Sequence, residues 1–284
     1  MGICIKYVYA YLNKKVRELN TIFYIFMFAI GATLGSFYTL AVYRIPLKQD
    51  ITHTRSYCPK CNHKLNFRDL IPILSYIALG GKCRYCKEKI RPRYLILEIS
   101  SGLAFLLYGI GLNIDLLNIE YKKVVALVFG MLFFSTIFII IGIFKEHKKI
   151  QKSVFNFGII VEGAYMIYLY ILNTSIYRYA IYLAIYIILL SISTFILRRF
   201  AKDDYYIDLL LYYTIMLMFM DGIISIFTLS LFIVEVLLHI IIRKITKNKN
   251  GNIPIKFEKI PLGFYLGASN ILVIFMMCMA NLFR

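Results

Sequence analysis

Eight long apolar runs constrain this chain more than any other feature of its sequence. They lie at 21–42, 94–112, 124–144, 154–172, 180–197, 209–220, 223–242 and 262–282. A helix rises about 1.5 Å per residue, so roughly 20 apolar residues cross a hydrocarbon core about 30 Å thick. Most of the runs reach that length. The sixth is short and follows a charged segment. Hydrocarbon offers no water to bond stray amides and carbonyls, so each run must be helical. The expected fold is an all-α polytopic membrane protein of about eight transmembrane helices. The composition agrees: 60% of residues are hydrophobic, where soluble domains sit nearer half.

Two blocks follow from the spacing of the runs. Residues 21–112 are two spans enclosing a hydrophilic loop, 43–93. Residues 113–284 hold six spans with shorter connections. Residues 1–20 form a basic N-terminal segment carrying Lys6, Lys14, Lys15 and Arg17. The run after them is long for a signal core and no small-residue cleavage site follows, so the first span is expected to stay in the mature protein.

The formal net charge is +18, which invites a nucleic-acid reading. Its placement argues against one. Loop 43–93 holds twelve Lys/Arg against Asp50, Asp69 and Glu88. Loops 145–153, 198–206 and 243–260 are also basic, and the alternate connections carry far fewer cations. That is a positive-inside alternation. It puts the four basic loops in the cytoplasm, against the lean of the N-terminal segment. Anionic lipid accounts for much of the charge. No nucleic-acid-binding motif supports the other reading.

The first loop carries Cys58-Pro-Lys-Cys61 and Cys83-Arg-Tyr-Cys86, separated by twenty-one residues. Two residues between thiolates let one tight turn aim both sulfurs at a single ion. Two such pairs at this distance are a four-thiolate zinc signature. Lys60, Lys64, Lys82, Arg84 and Lys87 offset the negative charge of four thiolates on Zn²⁺. Four protein ligands leave no open position, so the expected role is structural. Disulfides are rare in a reducing cytosol. His53 and His63 are expected to be solvated, and Cys4 and Cys278 to be ordinary residues.

These residues also carry a resemblance. Gly35-Ser-Phe-Tyr-Thr-Leu-Ala-Val-Tyr-Arg44-Ile-Pro46 resembles the GSFxNVxxxRxP opening of the bacterial type IV prepilin peptidases. The stretch from Cys58 through Asp69-Leu-Ile-Pro-Ile-Leu-Ser-Tyr to Cys86, Arg93-Tyr94 and Glu98 resembles that family's cysteine loop. Ile260-Pro261-Leu262-Gly263-Phe264 is similar to its IPFGP segment. The resemblance implies a bifunctional enzyme of the bacterial cytoplasmic membrane. Such an enzyme cuts the basic leader from type IV prepilins or pseudopilins at the cytoplasmic face. It then N-methylates the new N-terminus with S-adenosylmethionine. Cleavage in the family uses two aspartates, one in an IDxxHxxIPN-like pattern and one in a GxGD motif. Two close carboxylates share a proton, so one acts as base on water while the other assists the carbonyl.

The second block departs from that pattern. Aligned on His147 and Gly158, the first aspartate falls at Phe144. Glu146 is the only acid nearby, and two helical residues turn it about 200° away. No GxGD occurs. Asp208 is the preferred match to the second aspartate, because it opens an apolar run. Asp204 comes next, and on the plainer reading Asp203 and Asp204 are a solvated helix cap. Other acids within apolar runs are Glu98, Glu162, Asp221 and Glu235. Glu98 matches the family's glutamate after the cysteine loop, Glu235 is expected to face inward toward a cation, and Glu162 has no assigned role. No Rossmann glycine loop is present, so S-adenosylmethionine rests on the resemblance alone. The candidate catalytic residues are Asp208, Asp204 and Glu146. The alternative function is a catalytically degenerate relative: a methyltransferase alone, or a non-enzymatic zinc-bearing scaffold for pilus assembly.

Overall fold

The computed structural model describes residues 2–114, 118–147, 149–172, 205–220, 222–250 and 262–282, with single positions at 116 and scattered ones between 180 and 195. Every regular element among them is helical. Helix α1 is Gly2–Arg44, α2 is Leu74–Ala78 and α3 is Arg93–Gly111. Helices α4 (Tyr121–His147), α5 (Lys152–Ile171), α6 (Tyr205–Phe219), α7 (Gly222–Asn250) and α8 (Leu262–Leu282) follow.

Six segments are long and apolar enough to cross a membrane: Glu18–Arg44, Arg93–Gly111, Tyr121–His147, Lys152–Ile171, Gly222–Ile242 and Leu262–Ala280. The short sixth run forms an apolar helix at Ile207–Phe219, below spanning length. The expected span at 180–197 lies largely outside the described residues, as do Asp203, Asp204 and Asp221. The N-terminal segment is not separated by a break: α1 is continuous from Gly2.

Prolines and left-handed residues set the helix ends. Ile45-Pro46 follows α1, and proline disfavours helix at the residue before it. Pro92 precedes α3 with φ −58°, the value its ring imposes. Asn113 then closes α3 at φ +47°.

The chain divides into two compact units. The first comprises residues 1–41, 50–134 and 277–284. Its helical part rests on close approach of α1 and α3. A Cβ on Gly31 would lie 2.6 Å from the Ser101 carbonyl oxygen and 2.9 Å from Gly102 Cα. One on Gly35 would lie 2.9 Å from Glu98 Cα. Small residues let membrane helices pack backbone to backbone, where dispersion replaces the missing hydrophobic drive. Gly35 and Glu98, the two ends of the resemblance, therefore meet across one contact. Phe105 packs beside Phe134 with ring centroids 6.4 Å apart. The Tyr108 hydroxyl donates to the Ala126 carbonyl at 3.0 Å, joining α4 to α3.

The second unit comprises residues 42–49 and 135–276. Here α5 packs along α6. Ile137, Phe144, Tyr212, Ile215 and Met216 are fully buried. Between α7 and α8, Ser269 Oγ donates to the Glu235 carboxylate at 3.1 Å. One turn away the Tyr265 hydroxyl meets His239 Nδ1 at 3.0 Å. Glu235 thus faces inward as expected, but the partner observed is a hydroxyl and not a cation. Glu162 is fully buried, and neither carboxyl oxygen has a hydrogen-bond partner among the described residues.

Glycine substitutions test the packing. A Cβ on Gly31 meets backbone, which cannot swing aside, whereas one on Gly163 meets nothing within 4 Å. Gly31→Val should cost about 1–3 kcal/mol or more through overpacking. Gly163→Ala should be neutral or slightly stabilising. Thermal unfolding in detergent is the measurement, and equal melting temperatures for the two variants would refute the α1–α3 contact.

Candidate metal centre and the carboxylate at the α4–α5 turn

The cysteine loop is two copies of one small turn. In the first, an antiparallel bridge pairs Tyr57 with Lys64, and in the second Lys82 with Lys89. Each bridge brackets a Cys-x-x-Cys. The Cys58 amide donates to the His63 carbonyl at 3.0 Å, and the Cys83 amide donates to the Glu88 carbonyl at 2.8 Å. The residue after each second cysteine turns left-handed: Asn62 at φ +56° and Lys87 at φ +60°. Asn adopts that region readily, and Lys87 occupies it at a cost that the closed turn over-determines. In sequence the duplication shows only as C-x-x-C-x-x-K followed by Leu65 or Ile90.

The two turns bring four sulfurs together. The Sγ atoms of Cys58, Cys61, Cys83 and Cys86 all lie within 4.8 Å of one another. Cys58 and Cys86 Sγ are 3.8 Å apart, too far for a disulfide. A tetrahedral ion with Zn–S near 2.3 Å needs sulfurs about 3.8 Å apart. The residues therefore fit a four-thiolate zinc ion, as their spacing predicts. All four ligand positions would be filled by protein, so such an ion holds the loop together and offers no site for substrate. Among the described residues this is the only group of three or more His, Cys, Asp or Glu arranged to hold a metal.

Burial works to raise the Cys58 thiol, but hydrogen bonds from the Cys61 and Lys60 amides and from neighbouring thiols outweigh it, bringing it down to about 7. Amides aimed at a sulfur favour the thiolate, which is the ligand form.

A second set of contacts holds the turns in register. Asp69 is buried at the end of a short 3-10 turn, Phe67–Asp69. Its carboxylate accepts from Arg84 Nε at 2.6 Å, the Tyr85 hydroxyl at 3.1 Å and the Asn66 amide at 3.1 Å. Burial opposes ionisation there, but the Arg84 hydrogen bond, the Asn66 amide, the Tyr85 hydroxyl and the Arg84 charge hold the acid below its ordinary range. Arg84 and Tyr85 are the two residues between Cys83 and Cys86. Asp69 thus grips the second turn from outside the ligand set. Tyr85 also stacks on His63, ring centroids 3.6 Å apart, which joins the two turns. His63 is therefore not simply solvated. His53 lies in a loop closed by Asp50, which accepts the Thr52 and His53 amides at 2.9 Å each.

In the second unit, the α4–α5 connection meets the start of α6. The Ile150 amide donates to Asp208 Oδ2 at 2.9 Å. Asp208 is half-buried, in the first turn of α6. One turn further along, Tyr212 is buried and stacks beside Phe144 of α4, centroids 5.8 Å apart. Phe144 is 0% exposed. A Cβ on Gly263 would lie 2.6 Å from its ring, so Phe144 is packed from α6 and α8 at once. Glu146, two residues on, is exposed. The structure brings Asp208 to the connection after α4, at Ile150. At the position expected of the first aspartate it has an enclosed phenyl ring. Asp204 lies outside the described residues. What sequence reasoning did not find is the Asp69 clamp; a lone acid in a basic loop gives no such signal.

Comparisons with known proteins fall on the first block. Residues 29–111 match the family model described as the bacterial peptidase A24 N-terminal domain. The prepilin leader peptidase/N-methyltransferase of Myxococcus xanthus is 42% identical over 84 residues, which is 30% of this chain and 25% of that protein. The protein of the same description from Vibrio cholerae is 44% identical over 86 residues, 27% of this chain and 34% of its own. That from Bacillus subtilis is 41% identical over 90 residues, 32% of this chain and 36% of its own. The chain thus spans about a quarter to a third of the length of these relatives. No solved structure matches it.

Conservative changes separate clamp from ligand. Cys83→Ser removes a ligand and should abolish stoichiometric zinc. Asp69→Asn leaves all four ligands and should weaken zinc by about 10- to 100-fold, the usual effect of a supporting residue. Competition with a chromogenic chelator measures both. Unchanged affinity in Asp69→Asn would show that the clamp does not support the centre.

Proposed function

We propose that this protein acts on type IV prepilins or pseudopilins in the bacterial cytoplasmic membrane, and that it engages them without cutting the leader by the two-aspartate route. The first half of the reading draws on the matched block, whose relatives are described as prepilin leader peptidase/N-methyltransferases. The cysteine domain, on the cytoplasmic side by its charge, would stand where the basic leader of a prepilin emerges. The second half draws on one observation. The ring of Phe144, enclosed by Tyr212 and Gly263, occupies the position where the first carboxylate is expected. Asp208 accepts the Ile150 amide, and two-aspartate cleavage needs a second carboxyl beside it to assist the carbonyl. Methyl transfer from S-adenosylmethionine to a pilin N-terminus is the activity that would remain, and it rests on the description of the relatives.

A second reading keeps proteolysis. The Ile150–Asp208 hydrogen bond ties α6 to the connection that follows Glu146, so a peptide bound there would have both acids within reach. It requires Glu146 to turn inward on substrate binding.

Mass measurement of a co-expressed prepilin from the same cell decides between them. The expected result is an unshortened prepilin. Leader loss that disappears in Glu146→Gln or Asp208→Asn would overturn the proposal in favour of the second reading. Phe144→Asp should introduce cleavage, and the double variant Phe144→Asp/Asp208→Asn should remove it again. Methyl transfer is tested separately with a pre-cleaved pilin and S-adenosylmethionine, as a mass gain of one methyl group.

A further inference from the structure

Between the two cysteine turns, residues 62–82 leave four large apolar side chains uncovered. Phe67 is 82% exposed, Leu74 66% and Ile77 64%, and Leu70 is also exposed. Their spacing of three, four and three residues runs along the 3-10 turn and the short helix α2. No metal ligand lies among them. Scattered exposed apolar residues need no explanation, but a run of this kind in an otherwise charged loop marks a surface with a partner.

Two observations say which partner. The first is depth. The Ile73 amide, just before α2, donates to Glu98 Oε2 at 2.7 Å. Glu98 is five residues into α3, a segment apolar enough to span the membrane from Arg93 onward. At about 1.5 Å per residue, that level is about 8 Å along the span from Arg93. Helices that lie in the membrane interface bury their apolar face about 5–10 Å into the boundary between headgroups and chains. The start of α2 is thus pinned, by one hydrogen bond, at interfacial depth. The second observation is charge. Lys64 and Arg68 lie at the start of the apolar run in sequence, and Lys82, Lys89, Arg91 and Arg93 follow it in the same loop, while the Asp69 carboxylate is already engaged by Arg84. A basic rim around apolar side chains complements an anionic leaflet.

We propose that residues 67–77 of the cysteine loop dock on the surface of an anionic bilayer, with Phe67, Leu70, Leu74 and Ile77 inserted among the lipid headgroups. The metal-bound turns then project into the aqueous phase from a base held flat on the membrane. This inference rests on the exposed side chains and the Glu98 contact, and stands whether or not the protein cuts prepilins.

The protein contains no tryptophan, so single substitutions report cleanly. Full-length Phe67→Trp and Ile77→Trp variants, each checked for bound zinc, are placed in nanodiscs of phosphatidylglycerol or of phosphatidylcholine. Lys60→Trp, on the first metal turn, is the reference. In phosphatidylglycerol, emission from positions 67 and 77 should be blue-shifted. Lipid brominated on its acyl chains should quench it several-fold more than at position 60. The effect should shrink in phosphatidylcholine. Water-like emission from both positions would overturn the proposal. Blue-shifted emission that bromolipid does not quench would also overturn it, because the cover would then be protein: a second copy or a prepilin segment. Equal quenching in the two lipids would overturn the role given to the basic rim.

Discussion

Every stretch of this chain that enters hydrocarbon must satisfy its own backbone hydrogen bonds, and the rest of the structure is arranged around that demand. It makes the spans helical whatever their individual propensities, which is why runs rich in Ile, Phe and Tyr fold as helices here. It also limits where irregular backbone can sit. The only substantial irregular segment described lies between α1 and α3, and it is polar. With too few apolar residues to build a core, that loop is organised by four sulfurs and one buried carboxylate. Zinc binding would then supply folding free energy that burial cannot.

Within the membrane, apolar surface gains nothing by turning inward, since lipid is as apolar as leucine. Specific contacts decide the packing instead. Glycines at 31 and 35 bring α1 against α3, and hydroxyl–carboxyl and hydroxyl–imidazole bonds join α7 to α8. Such bonds contribute on the order of 1 kcal/mol each. Glu162 does not fit this scheme. It is buried, and among the described residues its carboxyl oxygens have no hydrogen-bond partner.

The two blocks carry different kinds of information about function. The first combines a matched family domain with a metal site whose geometry is complete. The second holds Asp208 tied to the α4–α5 turn and a Phe144 ring enclosed by two neighbouring helices. The Phe144 ring is packed from α6 and α8 and is fully buried.

Much was legible in the sequence because it depends on local chemistry. Run length gave the spans, the CxxC spacing gave the four ligands, and Pro46 and Pro92 fall at the loop's two boundaries. Tertiary structure alone decided the rest. It showed that the two cysteine turns share one backbone design, that Asp69 clamps the second through Arg84 and Tyr85, and that Glu98 holds the base of the loop. It also showed that Asp208 accepts the Ile150 amide, 58 residues away in sequence. Spacing along a chain fixes what neighbours can do together; which distant side chain completes a buried carboxylate depends on how helices pack, and no local pattern records that.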